Sequence, residues 1–335
     1  MRRLVKKDYK MNLVTSKFPN GSENENIEGI NIVRKGGKFT VYEKARAYYK
    51  KHKDEFDIIV DETNVKPFLT PKFVKGKPIL LLIHQLSREG IFYELSFPLD
   101  YLVYYFLEKR WLSNYDGMKI VTVSESTRVD ICEFLGFKNV CLVPEGLSIK
   151  PLTKLGPKEM TPTIVYLGRL KNYKLPHHAL IAFSLIKKEV PNAKMWVIGY
   201  GDMRKKLEDL HVPDVTFFGR VSHDLKFELL GKAHLALVPS VKEGWGLVVT
   251  ECNAMGTPCV AYNVSGLRDS VIDGKTGVLV KENSPPALAQ AAVRLLNDKD
   301  WLSELSHNAL TYSRKFDWDI SADTFDKILR SAITN

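Results

Sequence analysis

No apolar run in this 335-residue chain approaches the ~18 residues that a membrane-crossing helix needs. The longest, Pro78–His84, has the length of a strand. Cysteine is scarce: Cys132, Cys141, Cys252 and Cys259 show no metal-type CxxC spacing and lie in apolar neighbourhoods. They read as buried free thiols of a reducing compartment. The opening Met1-Arg-Arg-Leu-Val-Lys-Lys is basic but has no apolar h-region, so it is not a secretory signal. Low-complexity tracts are missing too, and with 44% hydrophobic and 26% charged residues the composition is that of a globular chain, not a disordered one. The expectation is a soluble, cytoplasmic protein long enough for two cores.

A concentrated charge of one sign is also lacking. The net charge of +10 divides into +6 before residue 150 (25 basic, 19 acidic) and +4 after it (24 and 20). A nucleic-acid binder gathers its cations on one face or stripe, so this spread argues against that class. A preference for anionic substrates or an anionic membrane surface is compatible with it.

What is present is alternation. Short β-branched or apolar runs alternate with longer helical patterns, the mark of parallel sheets joined by crossover helices. In the first half, strands are expected at Met11–Thr15, Ile30–Val33, Phe56–Val60, Ile79–His84, Ile120–Val123 and Val140–Val143. Helices are expected at Val41–His52, Leu99–Tyr115 and Thr127–Leu135, the last capped by Ser124 or Ser126. Ser148–Pro162 holds three prolines and no periodic apolar pattern and reads as an interdomain linker. A second alternating set follows. Its strands are Thr163–Leu167, Lys194–Ile198, Val215–Phe218, Leu235–Val238, Pro258–Tyr262 and Gly277–Val280. Its helices are His177–Val190, Met203–Leu210, Leu225–Lys232, Val248–Met255, Pro286–Asn297 and Lys299–Phe316. The architecture is therefore α/β, with domains at 1–150 and 160–317 facing across a cleft. The amphipathic segment Ile320–Ile333 belongs to neither set; its stripe of Ile320, Phe325, Ile328, Leu329 and Ile333 must be buried somewhere.

Chemistry concentrates in two loops of the second half. In Pro239-Ser-Val-Lys-Glu243-Gly244-Trp245-Gly246-Leu247, a strand runs through a glycine-containing turn into a helix. Gly244 and Gly246 allow close backbone approach, and the helix start that follows suits a phosphate. Glu243 guards the turn, and Glu251 projects from the second turn of the helix. As a packing element, such a loop also fits any Rossmann-like domain. In Gly168-Arg169-Leu170-Lys-Asn-Tyr-Lys174, two cations leave a strand's carboxyl end, where α/β domains bind ligands. Arg grips phosphate bidentately and Lys adds a mobile charge, although a solvated basic loop has the same composition.

From about Val140 to Phe316 the chain resembles the retaining glycosyltransferases of the GT-B fold, family 4 type. The likeness rests on Gly168-Arg169-Leu170 with Lys174, Gly199-Tyr-Gly201, Phe218-Gly219-Arg-Val221, Glu243 and Glu251 in Glu-Gly-Trp-Gly-Leu, Ala254-Met-Gly-Thr-Pro258 and Gly274-x-x-Gly277. It implies that Arg169 and Lys174, after Gly168, hold the diphosphate of a nucleotide-sugar donor. It further implies that Glu243 contacts the sugar, and that amides of Gly244, Trp245, Gly246 and Leu247 lie near sugar and phosphates. Glu251 would bind the ribose, and Gly219–Val221 would lie by the base. In the first half, Ile83-His84-Gln85 matches the position of the family's active-site histidine. Arg88, Glu89 and the aromatic stretch Ile91–Glu94 follow, as acceptor-pocket lining or as core. No role is carried onto Glu145, where the family often has Asn.

The resemblance also implies a strand, glycine-rich loop and helix ahead of Leu4. Residues 1–10 then read as the end of that helix and Met11–Thr15 as the second strand, as in a truncated N-terminus with an exposed neighbouring strand edge. It implies metal-independent hexosyl transfer, no cofactor beyond the donor, and a C-terminal helix, 318–335, that crosses back to the first domain. The acceptor is a glycan, a lipid-linked sugar or a small polyol. The basic start and the aromatics after His84 favour a lipid-linked acceptor, with peripheral contact at the inner face of the membrane and no nucleic-acid partner. The alternative is a non-catalytic nucleotide-sugar binder or partner subunit.

Overall fold

The computed structural model describes residues 1–63 and 65–334. Its strands, in chain order, are β1 Met11–Thr15, β2 Asn24–Ile27, β3 Ile30–Arg34, β4 Ile59–Thr63, β5 Ile79–Ile83, β6 Lys119–Thr122 and β7 Val140–Leu142 in the first half. In the second half they are β8 Thr163–Leu167, β9 Lys194–Ile198, β10 Val215–Gly219, β11 Leu235–Val238, β12 Cys259–Tyr262 and β13 Gly277–Val280.

The second lobe is one parallel sheet in the order β10-β9-β8-β11-β12-β13. Every residue of β11 and of β12 is buried, as continuous apolar strands must be when helices cover both faces. The order reverses between β8 and β11. This switch point sets the loops that leave those two strands side by side at the carboxyl edge. Residues 148–162 contain no strand or helix.

The strands of the first lobe form two sheets. β4-β5-β6-β7 form a parallel sheet, and β1-β3-β2 form a separate one, in which β1 and β3 are parallel and β2 and β3 make a hairpin. Strand β2 was not foreseen. Its turn is Glu28-Gly29, both at positive φ, and Glu is a poor advertisement for such a turn. β1 and β4 are end strands of their sheets. Strand β4 also begins three residues later than its apolar run suggests. Phe56 is spent on the Tyr49 ring (6.2 Å), and the strand runs on through polar residues. Asp61 can sit inside it because the backbone amides of Phe68 and Thr70 and the hydroxyls of Thr70 and Tyr115 all donate to its carboxylate.

Leu99–Tyr115 is helical throughout but contains a π turn at Val103–Leu107. The helix sends Glu108 inward, where it accepts from the amides of Ser87 (2.6 Å) and Arg88 (3.1 Å). Burial pushes the Glu108 carboxyl up, against those two bonds. This carboxylate fastens the loop that follows β5.

The helix Trp318–Ile333 lies on the first lobe. Leu329 is buried with Leu4, Leu80 and Val121, and Phe325 and Ile328 pack beside it. The Lys119 ammonium donates to Ser331 (2.6 Å), the Ser321 hydroxyl to the Pro144 carbonyl (2.5 Å), and the Tyr9 hydroxyl to Asp326 (2.6 Å). Ile320 and Ile333, counted in the stripe, stay exposed.

Candidate functional site

At the switch point the two loops meet. The Lys174 ammonium pairs with the Glu243 carboxylate, both side chains largely shielded from solvent. Arg169 donates to the Tyr173 hydroxyl, and the Tyr173 ring lies beneath both cations, 5.6 Å from the Arg169 guanidinium and 5.2 Å from the Lys174 ammonium. The backbone at Gly246 is left-handed (φ +93°) and opens the helix Leu247–Ala254, where the Val249 amide already donates to the Gly246 carbonyl (2.8 Å). Gly168 and the β9 loop approach so closely that a Cβ on Gly199 would lie 1.8 Å from the Gly168 carbonyl oxygen. The Gly199 amide in turn donates to the carbonyl of Gly219 (2.9 Å). Thus Arg169, Lys174, Glu243, Gly168 and Gly219 share one edge of the sheet.

Glu251 joins this edge through a residue that the sequence reading missed. Lys226, on the helix His223–Lys232 that follows Val221, donates to Glu251 (2.7 Å), and both side chains are mostly covered. Val221 itself packs against the second-lobe core. Trp245, expected to contribute its backbone amide, sets its ring against Phe316 (centroids 5.2 Å apart). Its indole N–H is buried with no partner among the described residues. Leu247 is exposed at the start of its helix.

His84 sits at the end of β5 in the facing lobe, between two carboxylates. Its Nε2 lies 3.0 Å from Glu62 and its Nδ1 3.5 Å from Glu145. Glu145, the more buried of the two, and then Glu62 hold the imidazole protonated and push its pKa up to about 9. The hydrogen bond from His84 in turn lowers the Glu62 carboxyl. The lateness of β4 hid Glu62, since the strand seemed to stop before it. Further along, Ile91 is core, whereas the Arg88 guanidinium is held between the rings of Tyr104 (4.1 Å) and Phe134 (4.0 Å).

The lobes touch at the site itself. A Cβ on Gly244 would come within 2.4 Å of the His84 carbonyl oxygen, so the residue beside Glu243 must be glycine for β5 to approach. Around this contact, the Ser126 hydroxyl accepts from the Gly266 amide (2.7 Å) and donates to Asp269, and the Ser265 hydroxyl donates to Asp130 (3.0 Å). Lys242 pairs with Asp130 at 2.6 Å. Of the two serines considered as helix caps, Ser124 accepts from the Thr127 amide, which leaves Ser126 free to bridge the lobes.

A doubly wound lobe with its cations at the switch point, facing a second α/β lobe that presents a histidine, is the GT-B arrangement. Residues 151–316, which span the second lobe, match the family of glycosyl transferases group 1. The uncharacterized glycosyltransferase MJ1607 of Methanocaldococcus jannaschii is 26% identical over 351 residues, covering 94% of this chain and 88% of its own length. Other curated relatives match over 36% to 56% of their own lengths. Among solved structures, sucrose-phosphate synthase from Thermosynechococcus elongatus superposes with a TM-score of 0.79 at 20% identity, over 99% of this chain and 91% of its own. Anabaena HepE in complex with UDP-glucose gives 0.68 at 17% identity, over 90% and 87%. No described helix is long and apolar enough to cross a membrane.

Proposed function

We propose that the chain is a retaining, metal-independent hexosyltransferase that moves a sugar from a nucleotide-diphosphate donor to an acceptor hydroxyl on a glycan, a lipid-linked sugar or a small polyol. The observation that carries this reading is the Lys174–Glu243 pair at the switch point, one residue from the interlobe contact of Gly244 with His84. The bound UDP-glucose of HepE, a protein of the same fold, supports a nucleotide donor.

In this reading Arg169, Lys174 and the opening of the Leu247–Ala254 helix stabilise the diphosphate as negative charge develops on it. Glu243 orients the sugar, and Glu251, steered by Lys226, takes the ribose; Gly219–Val221 lie by the base. The acceptor hydroxyl attacks from the face that the diphosphate leaves. The sugar–phosphate C–O bond breaks, a bond to the acceptor oxygen forms, and the hydroxyl proton passes to the departing phosphate oxygen. Cationic His84 fixes sugar hydroxyls by orientation and charge. The proposed setting is the cytoplasm, at the inner face of the membrane.

The test is melting in the presence of UDP, GDP and ADP. A nucleotide at 100 times its dissociation constant adds about 2.7 kcal/mol of stability, which is readily measured. If none of the three raises the melting temperature, the donor site is misassigned. If one does but no donor sugar is turned over, the chain is a nucleotide-sugar binding protein.

A further inference from the structure

Residues 97–110 turn their acids inward and most of their rings outward, whereas Tyr115 beyond them is core. Asp100 and Glu108 are buried, whereas Phe97, Leu99, Tyr101, Leu102, Tyr105 and Phe106 are exposed, Phe97 at 79% and Phe106 at 67%. A contiguous aromatic surface of this kind marks an interaction site. The same outer face continues into Lys109 and Arg110, and beside it opens a groove of about 600 Å³ in which Arg110 joins Lys66, Lys72 and Trp111. Lys66 lies over the Trp111 ring, 5.7 Å from its centroid. Among the described residues, none of Lys66, Lys72 and Arg110 is paired with a carboxylate.

We propose that this face is a docking surface for an anionic phospholipid bilayer, with the rings seated at headgroup depth and the groove cations on lipid phosphates. Tyr pairs an apolar body with a hydroxyl that stays among the headgroups, and Phe adds apolar area that leaves water. Each Lys or Arg near an anionic leaflet adds about 1 kcal/mol of attraction. A second copy offers this face only the same rings and cations, with Asp100 and Glu108 turned inward, whereas an anionic bilayer supplies the phosphates that Lys66, Lys72 and Arg110 can meet. The face begins at the loop that follows His84, so a docked bilayer borders the cleft.

The test is sedimentation of the full chain with vesicles of phosphatidylcholine, with and without phosphatidylglycerol. Binding is expected only with phosphatidylglycerol present and should fall as salt is raised. Replacing Lys66, Lys72 and Arg110 together by Ala weakens it on the order of 100-fold, from three lost attractions. Tyr105→Ser with Phe106→Ser weakens it on the order of 10-fold or more. Both variants should melt and bind nucleotide as the unaltered protein does, since neither touches the donor edge. Absence of binding to phosphatidylglycerol vesicles, or undiminished binding by the folded triple variant, overturns the proposal. So does a dimer in light scattering that Tyr105→Ser with Phe106→Ser dissolves, which would make the face a self-interface. The assay contains no donor, so the transferase reading can fail while the surface stands, and the reverse.

Discussion

Lys174 and Glu243 neutralise each other, and so do Lys226 and Glu251, so the groups assigned to phosphate and ribose are held ready by the chain's own ion pairs. A donor diphosphate would compete for Lys174 and leave Glu243 free to turn to the sugar. Glu243→Ala or Lys174→Ala, in protein that folds, should therefore lower turnover by at least ~10²-fold, the scale of one preorganised electrostatic contact. Turnover near that of the unaltered protein would remove the residue from the site. His84 is the residue whose charge depends on pH. Its imidazole is raised from 6.5 to about 9 by Glu145 and Glu62, with the Met1 amine also facing Glu62. The folded state thus binds the proton more tightly than the unfolded one. The stability that this supplies is complete below pH 6.5 and is lost as pH rises through about 9. Measured against His84→Asn, which does not titrate, the stability advantage of the unaltered protein should shrink across that window. A constant difference would show that the clamp is not charged.

Among the elements, the second lobe was almost wholly legible in the sequence. Strands β8, β9, β11 and β13 fall on their apolar runs, because a short run rich in β-branched and apolar residues between two helical patterns offers few other readings. The first lobe was less so, for three physical reasons. Asp61 and Thr63 are polar residues inside a strand: Asp61 is satisfied by Phe68, Thr70 and Tyr115, and the Thr63 hydroxyl is buried with no partner among the described residues. The β2–β3 hairpin turns on Glu28, a residue that rarely marks such a turn. The π turn at Val103–Leu107 adds a residue that no helical period announces. The two loops of the donor edge were found from glycine and charge spacing. Lys226, Glu62 and Glu145 were not, since each acts through a neighbour that only the fold supplies. Gly244 belongs to this scale as well: Gly244→Ala drives a methyl into the His84 carbonyl and must part the turn from β5. The expected result is a clear loss of turnover with nucleotide affinity nearly retained, read as kcat against the Kd for nucleotide. An unchanged kcat would mean that the contact is incidental.

For the whole molecule, the decisive element is the helix Trp318–Ile333, which starts from the second lobe's last helix and is buried on the first. Leu329→Ala opens a cavity among Leu4, Leu80 and Val121 and should cost about 2–5 kcal/mol. The loss should appear as earlier melting with nucleotide binding intact, because the donor edge lies in the other lobe. A simultaneous loss of nucleotide binding would mean that the lobes do not unfold separately.

The chain therefore passes between the lobes twice, outward through residues 148–162 and back before Trp318. The two passages are fastened together: the Arg314 guanidinium donates to the carbonyls of Leu152 (3.3 Å) and Thr153 (3.0 Å), and Gly146 lies against Trp318 so closely that a Cβ would touch its backbone nitrogen at 2.4 Å. In mechanical terms a single tether is a ball joint, free to swivel, shear and twist, whereas two adjoining tethers make a door hinge. Such a hinge favours a swing of the second lobe over a slide, so closing the cleft is expected to return Gly244 to the His84 carbonyl.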